Sequence, residues 1–178
     1  QMRLIFLGDV VGKSGRDAVA RELPLLRERF KPDIVVVNGE NAAHGFGISQ
    51  DIHQKLLGCG ADVVTLGNHA FDQRETLVFI EREPNLIRPL NWPAGCPGRG
   101  TCMVETAKGQ RVLVMNAMGR VMIEPMLDDP FPAVGKELDQ CRLGRDCDAI
   151  LIDFHAEVSS EKMAMGHYVD GRASLLVG

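Results

Sequence analysis

Four short apolar runs in this chain each stop at a residue able to bind a metal ion. LIFLG leads into Asp9, DIVVVNG into Glu40-Asn41, DVVTLG into Asn68-His69, and AILIDF into His155. Continuous runs of this length, rich in Val, Ile and Leu, read as strands buried on both faces. A turn or helix cap explains any one of the polar residues that follow. Four of them at the same place relative to a strand point to a shared site. In an α/β sheet the C-terminal strand ends line one edge, and ligands bind in the crevice there.

The segments between these runs have helical spacing. Val19, Leu23, Leu26 and Phe30 recur at three- and four-residue intervals, predicting a helix over Arg16–Phe30 that kinks or starts late at Pro24. The run Leu4–Leu7 reads as a central strand, with further strands at Ile34–Val37 and Val63–Leu66. Ser49 is placed as the N-cap of a helix through Leu57, and Arg74–Glu83 reads as a short helix. Pro84–Gly100 reads as a long loop. Thr101–Thr106 and Arg111–Asn116 form an antiparallel pair turning at Lys108-Gly109. Pro125–Pro132 is an irregular connection before a helix around Val134–Leu143. A strand at Ala149–Phe154, a helix at Ser159–Tyr168 and a strand beginning at Ser174 complete the chain. Strand–helix alternation followed by paired strands predicts an α/β fold with a mixed sheet or two sheets.

At 178 residues the chain suits one domain, taken as residues 2–178. Gln1 before Met2 reads as an addition to a chain that starts at Met2. A net charge of −4 argues against a nucleic-acid surface, which rests on clustered Lys and Arg. No apolar stretch nears the ~20 residues of a membrane span. The polar turn at Gly8-Asp9 comes too early for a signal peptide. The five cysteines lack a CxxC pair and read as free thiols in a reducing cytoplasm.

The donors suit a cation. A carboxylate can bridge two divalent ions, and amide oxygens with imidazole nitrogens complete a borderline coordination sphere. Gly8, Gly39 and Gly67 precede Asp9, Glu40 and Asn68, letting the backbone turn sharply beside a ligand. Period-two alternation puts Asp153, His155 and Glu157 on one face. Gly8–Ser14 imitates a phosphate-binding P-loop, but only three residues separate Gly8 from Gly12 where that loop needs four.

The segments GDVVGKSGR, NGENAAHGFGI, LGNHAFD, DFHAE and YVDGRASLLVG, in this order, closely resemble the bacterial YmdB-like metallophosphoesterases of the calcineurin-like superfamily. The resemblance implies a four-layer α/β/β/α sandwich with a dinuclear metal site. By that likeness Asp9 and Asn41 hold one metal, Glu40 bridges both, and Asn68 and His155 hold the other. His69 matches the residue that protonates the leaving oxygen or steadies the phosphoryl group. The implied cofactors are two divalent ions, Mn or Fe foremost, with Zn or Mg as alternatives. The implied reaction is attack on a cyclic nucleotide, 2′,3′ or 3′,5′, by a metal-bridging hydroxide.

His44 and Gly45 belong to a Gly-rich loop placed to shape the substrate pocket. Trp92 either stacks on a base or anchors its loop, while His53 and His167 read as structural or solvated. Family members continue beyond SLLVG into a Gly-Thr-His-Thr-His segment that supplies two further histidine ligands. This chain stops at Gly178, so the resemblance implies a sandwich incomplete at its C-terminus and an uncovered sheet edge open to self-association. The competing readings are a catalytically inactive binding or regulatory module of the same fold and, more remotely, a P-loop-like NTPase.

Overall fold

The computed structural model describes residues 1–178 as two four-stranded sheets packed face to face, with helices on both outer surfaces. The first sheet is all parallel in the order β1 (Leu4–Leu7), β2 (Ile34–Asn38), β3 (Val63–Thr65) and β4 (Leu86–Ile87). The second runs β5 (Thr101–Glu105), β6 (Arg111–Met118), β7 (Ala149–His155) and β8 (Leu175–Val177), antiparallel only between β5 and β6. The helices are α1 (Gly12–Phe30), α2 (Gln50–Gly58), α3 (Thr76–Phe79), α4 (Pro130–Gln140) and α5 (Ser159–Val169), with a 3₁₀ turn at Ile80–Arg82.

Strand periodicity builds the layers. Ile34, Val36, Val63 and Ile87 face inward against Val112, Val114 and Leu151 of the second sheet. Val35, Val37 and Val64 face outward, onto Val19 and Leu23 of α1, Leu56 of α2 and Phe79 of α3. On the other side Leu113, Ile150 and Ile152 pack against Val134 and Leu138 of α4 and Met165 of α5. Both faces of β2 are buried, which is why its sequence reads as an unbroken apolar run.

Several elements differ from their sequence readings. β1 lies at the edge of its sheet and is only half-buried, not central. α1 begins four residues earlier than its apolar periodicity suggested and continues through Pro24. The expected loop at 84–100 contains β4, too short at two residues for periodicity to reveal. α4 starts at Pro130, where the Phe131 backbone N–H donates to Asp129 Oδ1 at 3.0 Å; proline at the first turn forfeits no helix bond. The Ser49 cap is as expected, its Oγ accepting from the Ile52 N–H at 3.2 Å. No helix is long and apolar enough to cross a membrane.

Candidate functional site

A layer of polar residues closes the interior between the sheets at one end. Asn38 continues the inward-facing series of β2, Thr65 that of β3, Asn116 that of β6 and Asp153 that of β7. The pairs are register-matched, Asn38 opposite Thr65 and Asn116 opposite Asp153. All four are buried. Asp153 Oδ2 accepts from the Thr65 hydroxyl and from Asn38 Nδ2 at 3.2 Å. Asn116 Oδ1 accepts from the Leu66 N–H at 3.0 Å, and its Nδ2 donates to the Asp153 carbonyl at 3.2 Å. These bonds tie the two sheets together where their candidate ligands emerge. Burial raises the Asp153 carboxyl to about 6, against the opposing pull of its Thr65 and Asn38 donors.

Two residues beyond this layer stand Glu40 and His155. The Glu40 N–H donates to Asn38 Oδ1 at 3.3 Å, and its side chain enters a seat left open by Gly67, where a Cβ would overlap the carboxylate. Glu40 is 2% exposed and its Oε2 has no hydrogen-bond partner. Burial, reinforced by the charges of Asp9 and Asp153, raises its pKa from 4.5 to about 8, while backbone N–H groups of His69 and Asn68 pull the other way. A buried carboxylate oxygen without a partner is costly, and a cation beside it removes that cost.

His155 Nε2 lies 3.0 Å from Glu40 Oε1 and 3.0 Å from Asn68 Oδ1. Burial lowers the His155 pKa and favours the neutral ring, the form that binds metals. Neighbouring donors around an octahedral ion with ligand bonds of ~2.1 Å stand about 3.0 Å apart, the spacing that His155 Nε2 keeps from both oxygens. Asp9 projects from a backbone with φ of 47°, a left-handed conformation that Asp tolerates better than most residues. Asn41 Nδ2 donates to Asp9 Oδ1 at 2.7 Å, so Asn41 presents oxygen to a cation only after its amide turns. Carboxylates and imidazoles alone do not converge into a metal cluster, and the amide oxygens of Asn41 and Asn68 are needed to extend the donor set. Asp9, Glu40 and His155 line one cavity of about 210 Å³ with Asp153 and Lys162.

His69 follows Asn68, and its Nε2 lies 3.5 Å from Asn68 Nδ2. Its Nδ1 pairs with Asp72 Oδ2 at 2.6 Å, which leaves Nε2 as the nitrogen available to a substrate. Phe46 meets the His69 ring edge-on at 5.7 Å. His44 and Gly45 lie outside the cavity lining, His44 exposed and both at positive φ. Trp92 packs against Phe71 at 5.0 Å, the loop-anchoring alternative of its two. His53 is fully buried, whereas His167 is exposed. Lys13 is exposed and paired with Asp17 at 2.7 Å, and carries no sign of a phosphate cradle.

Of the residues singled out in the sequence, Asp9, Glu40 and His155 share one cavity, Asn68 bonds to His155 and Asn41 to Asp9, whereas Asn38, Thr65, Asp72, Asn116 and Lys162 carried no expected role. The signal for the polar layer was present, since Asn38, Thr65, Asn116 and Asp153 each interrupt an apolar run. Pairing across sheets is what gives it meaning.

The sequence matches the YmdB-like protein family over residues 5–178. It is 46% identical to a 2′,3′-cyclic-nucleotide 2′-phosphodiesterase of Bacillus subtilis, across 99% of this chain and 66% of that protein. A crystal structure of a hypothetical protein from Thermus thermophilus superposes with a TM-score of 0.89 at 43% identity, covering 98% of this chain and 66% of that one. A structure described as a novel phosphatase, from Mycoplasma pneumoniae, gives 0.86 at 32%, covering 99% and 64%. The chain thus spans just under two thirds of the length of these relatives.

Proposed function

The chain belongs to the YmdB-like protein family, and from that premise we propose that it carries a metal-dependent phosphodiesterase site acting on 2′,3′-cyclic nucleotides. The observation that carries the reading is the buried, half-unpartnered Glu40 carboxylate beside the Asn68–His155 pair. Similarity to the Bacillus subtilis enzyme supplies the substrate class. In this proposal Asp9 and Asn41 hold one divalent ion, Asn68 and His155 a second, and Glu40 serves both. Such ions supply an activated water and charge stabilisation for the phosphoryl group.

The chain's own residues do the rest. Asn68 and His155 fix one another, and the polar layer beneath holds Glu40 opposite them. When the P–O bond to the leaving hydroxyl breaks, the proton on His69 Nε2 passes to that oxygen. Asp72, bonded to Nδ1, holds the ring in position for that transfer. Lys162 on the cavity wall adds positive charge toward a bound phosphate. Five free thiols support a place in the reducing cytoplasm.

Hydrolysis of 2′,3′-cyclic AMP with Mn²⁺, run beside the 3′,5′ isomer, tests this. Turnover of the 2′,3′ compound is expected, with loss of at least about 100-fold in Glu40→Gln and a slower rate in Asp72→Asn. A folded, Mn²⁺-supplied protein with no turnover, or Glu40→Gln at full activity, rejects the proposal.

A further inference from the structure

We infer that Phe46 is the stacking platform for the base of a nucleotide bound at this site, an assignment that rests on the cyclic-nucleotide reading. A single exposed apolar side chain needs no explanation by itself. Phe46 differs because its backbone is held from both sides while its ring is left 58% exposed. Its N–H donates to the Ala43 carbonyl at 2.9 Å, and its carbonyl accepts from Gln73 Nε2 at 2.7 Å. The Ala43 N–H donates to the Gly47 carbonyl at 2.9 Å, closing the loop beneath it. Gly47, at φ 74°, has no room for a Cβ, which would come 2.9 Å from the His69 carbonyl. The loop is therefore pressed against the segment that carries the proposed proton donor.

Position selects the ligand. The Phe46 ring stands 5.7 Å from the His69 ring at 87°, next to the side chain that carries the proposed proton donor. A nucleoside cyclic phosphate carries its base one ribose away from the phosphorus, so a base is the part of the substrate that reaches past His69. Phe6 lines the cavity, but it packs half-buried into the layer between the sheets rather than standing exposed. Trp92 is occupied by Phe71, Tyr168 packs against Phe131 and Arg172, and Phe30 sits under Arg29 at the end of α1. Stacking on a lone phenyl ring accepts any base, because every base has a π-face. The site would then recognise nucleotides as a class and read base identity only weakly.

The test compares two probes on the Mn²⁺-supplied protein by calorimetry: adenosine 3′-phosphate, which has a base, and glycerol phosphate, which has none. Phe46→Ala should weaken the adenosine probe about tenfold and leave glycerol phosphate unchanged, and Phe46→Trp should restore the difference. Equal weakening of both probes, or no change in either, overturns the assignment. Hydrolysis of 2′,3′-cyclic AMP measured alongside separates the two ideas. Base-dependent binding that Phe46→Ala abolishes, without turnover in the unaltered protein, supports the platform while the catalytic reading fails. Turnover with an unchanged KM in Phe46→Ala overturns the platform while the catalytic reading stands.

Discussion

Glu40 concentrates the tension between stability and chemistry in one side chain. Its carboxylate is buried, has one oxygen without a partner, and is raised to about 8. A carboxyl whose folded pKa lies above its unfolded value is neutral and unpenalised below about pH 4.5. As pH rises from there toward 8 the unfolded chain gives up this proton while the fold retains it, and stability falls. Metal-free protein should lose stability over that window, by a few kcal/mol at ~1.4 kcal/mol per pKa unit. His155, lowered by burial, gives the opposite slope around its own range, so the comparison of wild type with Glu40→Gln reports the glutamate together with its contact to His155. Denaturant titrations across pH in the presence of chelator should show Glu40→Gln the more stable protein near pH 8 and indistinguishable near pH 4.5. Added Mn²⁺ should raise the wild-type midpoint and leave the variant's unmoved. An identical pH slope in the two proteins would show that the carboxylate is not strained as described. At this scale the sequence was informative: a ligand-type residue after an apolar run is local, so Asp9, Glu40, Asn68 and His155 could be seen without a structure. Asp72 could not be assigned, because its meaning lies in a 2.6 Å bond to His69 rather than in any pattern.

At the scale of elements, the strands do more than end near one another. Asn38, Thr65, Asn116 and Asp153 make a hydrogen-bonded layer that replaces apolar packing for one step of four strands and fixes their relative height. Asn116 is the hinge of this layer, joining Leu66 of the first sheet to Asp153 of the second. Truncation in Asn116→Ala leaves a buried N–H and a buried carbonyl without these partners. Each such loss costs roughly 1–3 kcal/mol. At about 2–4 °C per kcal/mol for a chain of this size, the two losses together should lower Tm by roughly 4–24 °C. Weaker Mn²⁺ binding should accompany it, because Asn68 and His155 come from different sheets. A Tm drop with unchanged Mn²⁺ affinity would make the layer purely structural. Element boundaries were legible where a cap was present, as at Ser49, and obscure where tertiary context set them. β4 is held by pairing to β3, and β1 became an edge strand although its sequence looks as apolar as that of β2.

For the molecule as a whole, the two-sheet sandwich follows from strands that are apolar on both faces. Such strands need cover above and below, and helices outside with a second sheet inside provide it. The fold class was readable from that alternation, whereas the meeting of two sheets at one ligand-bearing end needed the structure. The central claim is that this meeting point holds metal. Crystals soaked in Mn²⁺ and measured for anomalous scattering test it directly. The account predicts an anomalous peak within coordination distance of Glu40, Asn68 Oδ1 and His155 Nε2, absent in Glu40→Gln crystals. Well-ordered crystals with no peak there, or with Mn²⁺ bound only elsewhere on the protein, would contradict it.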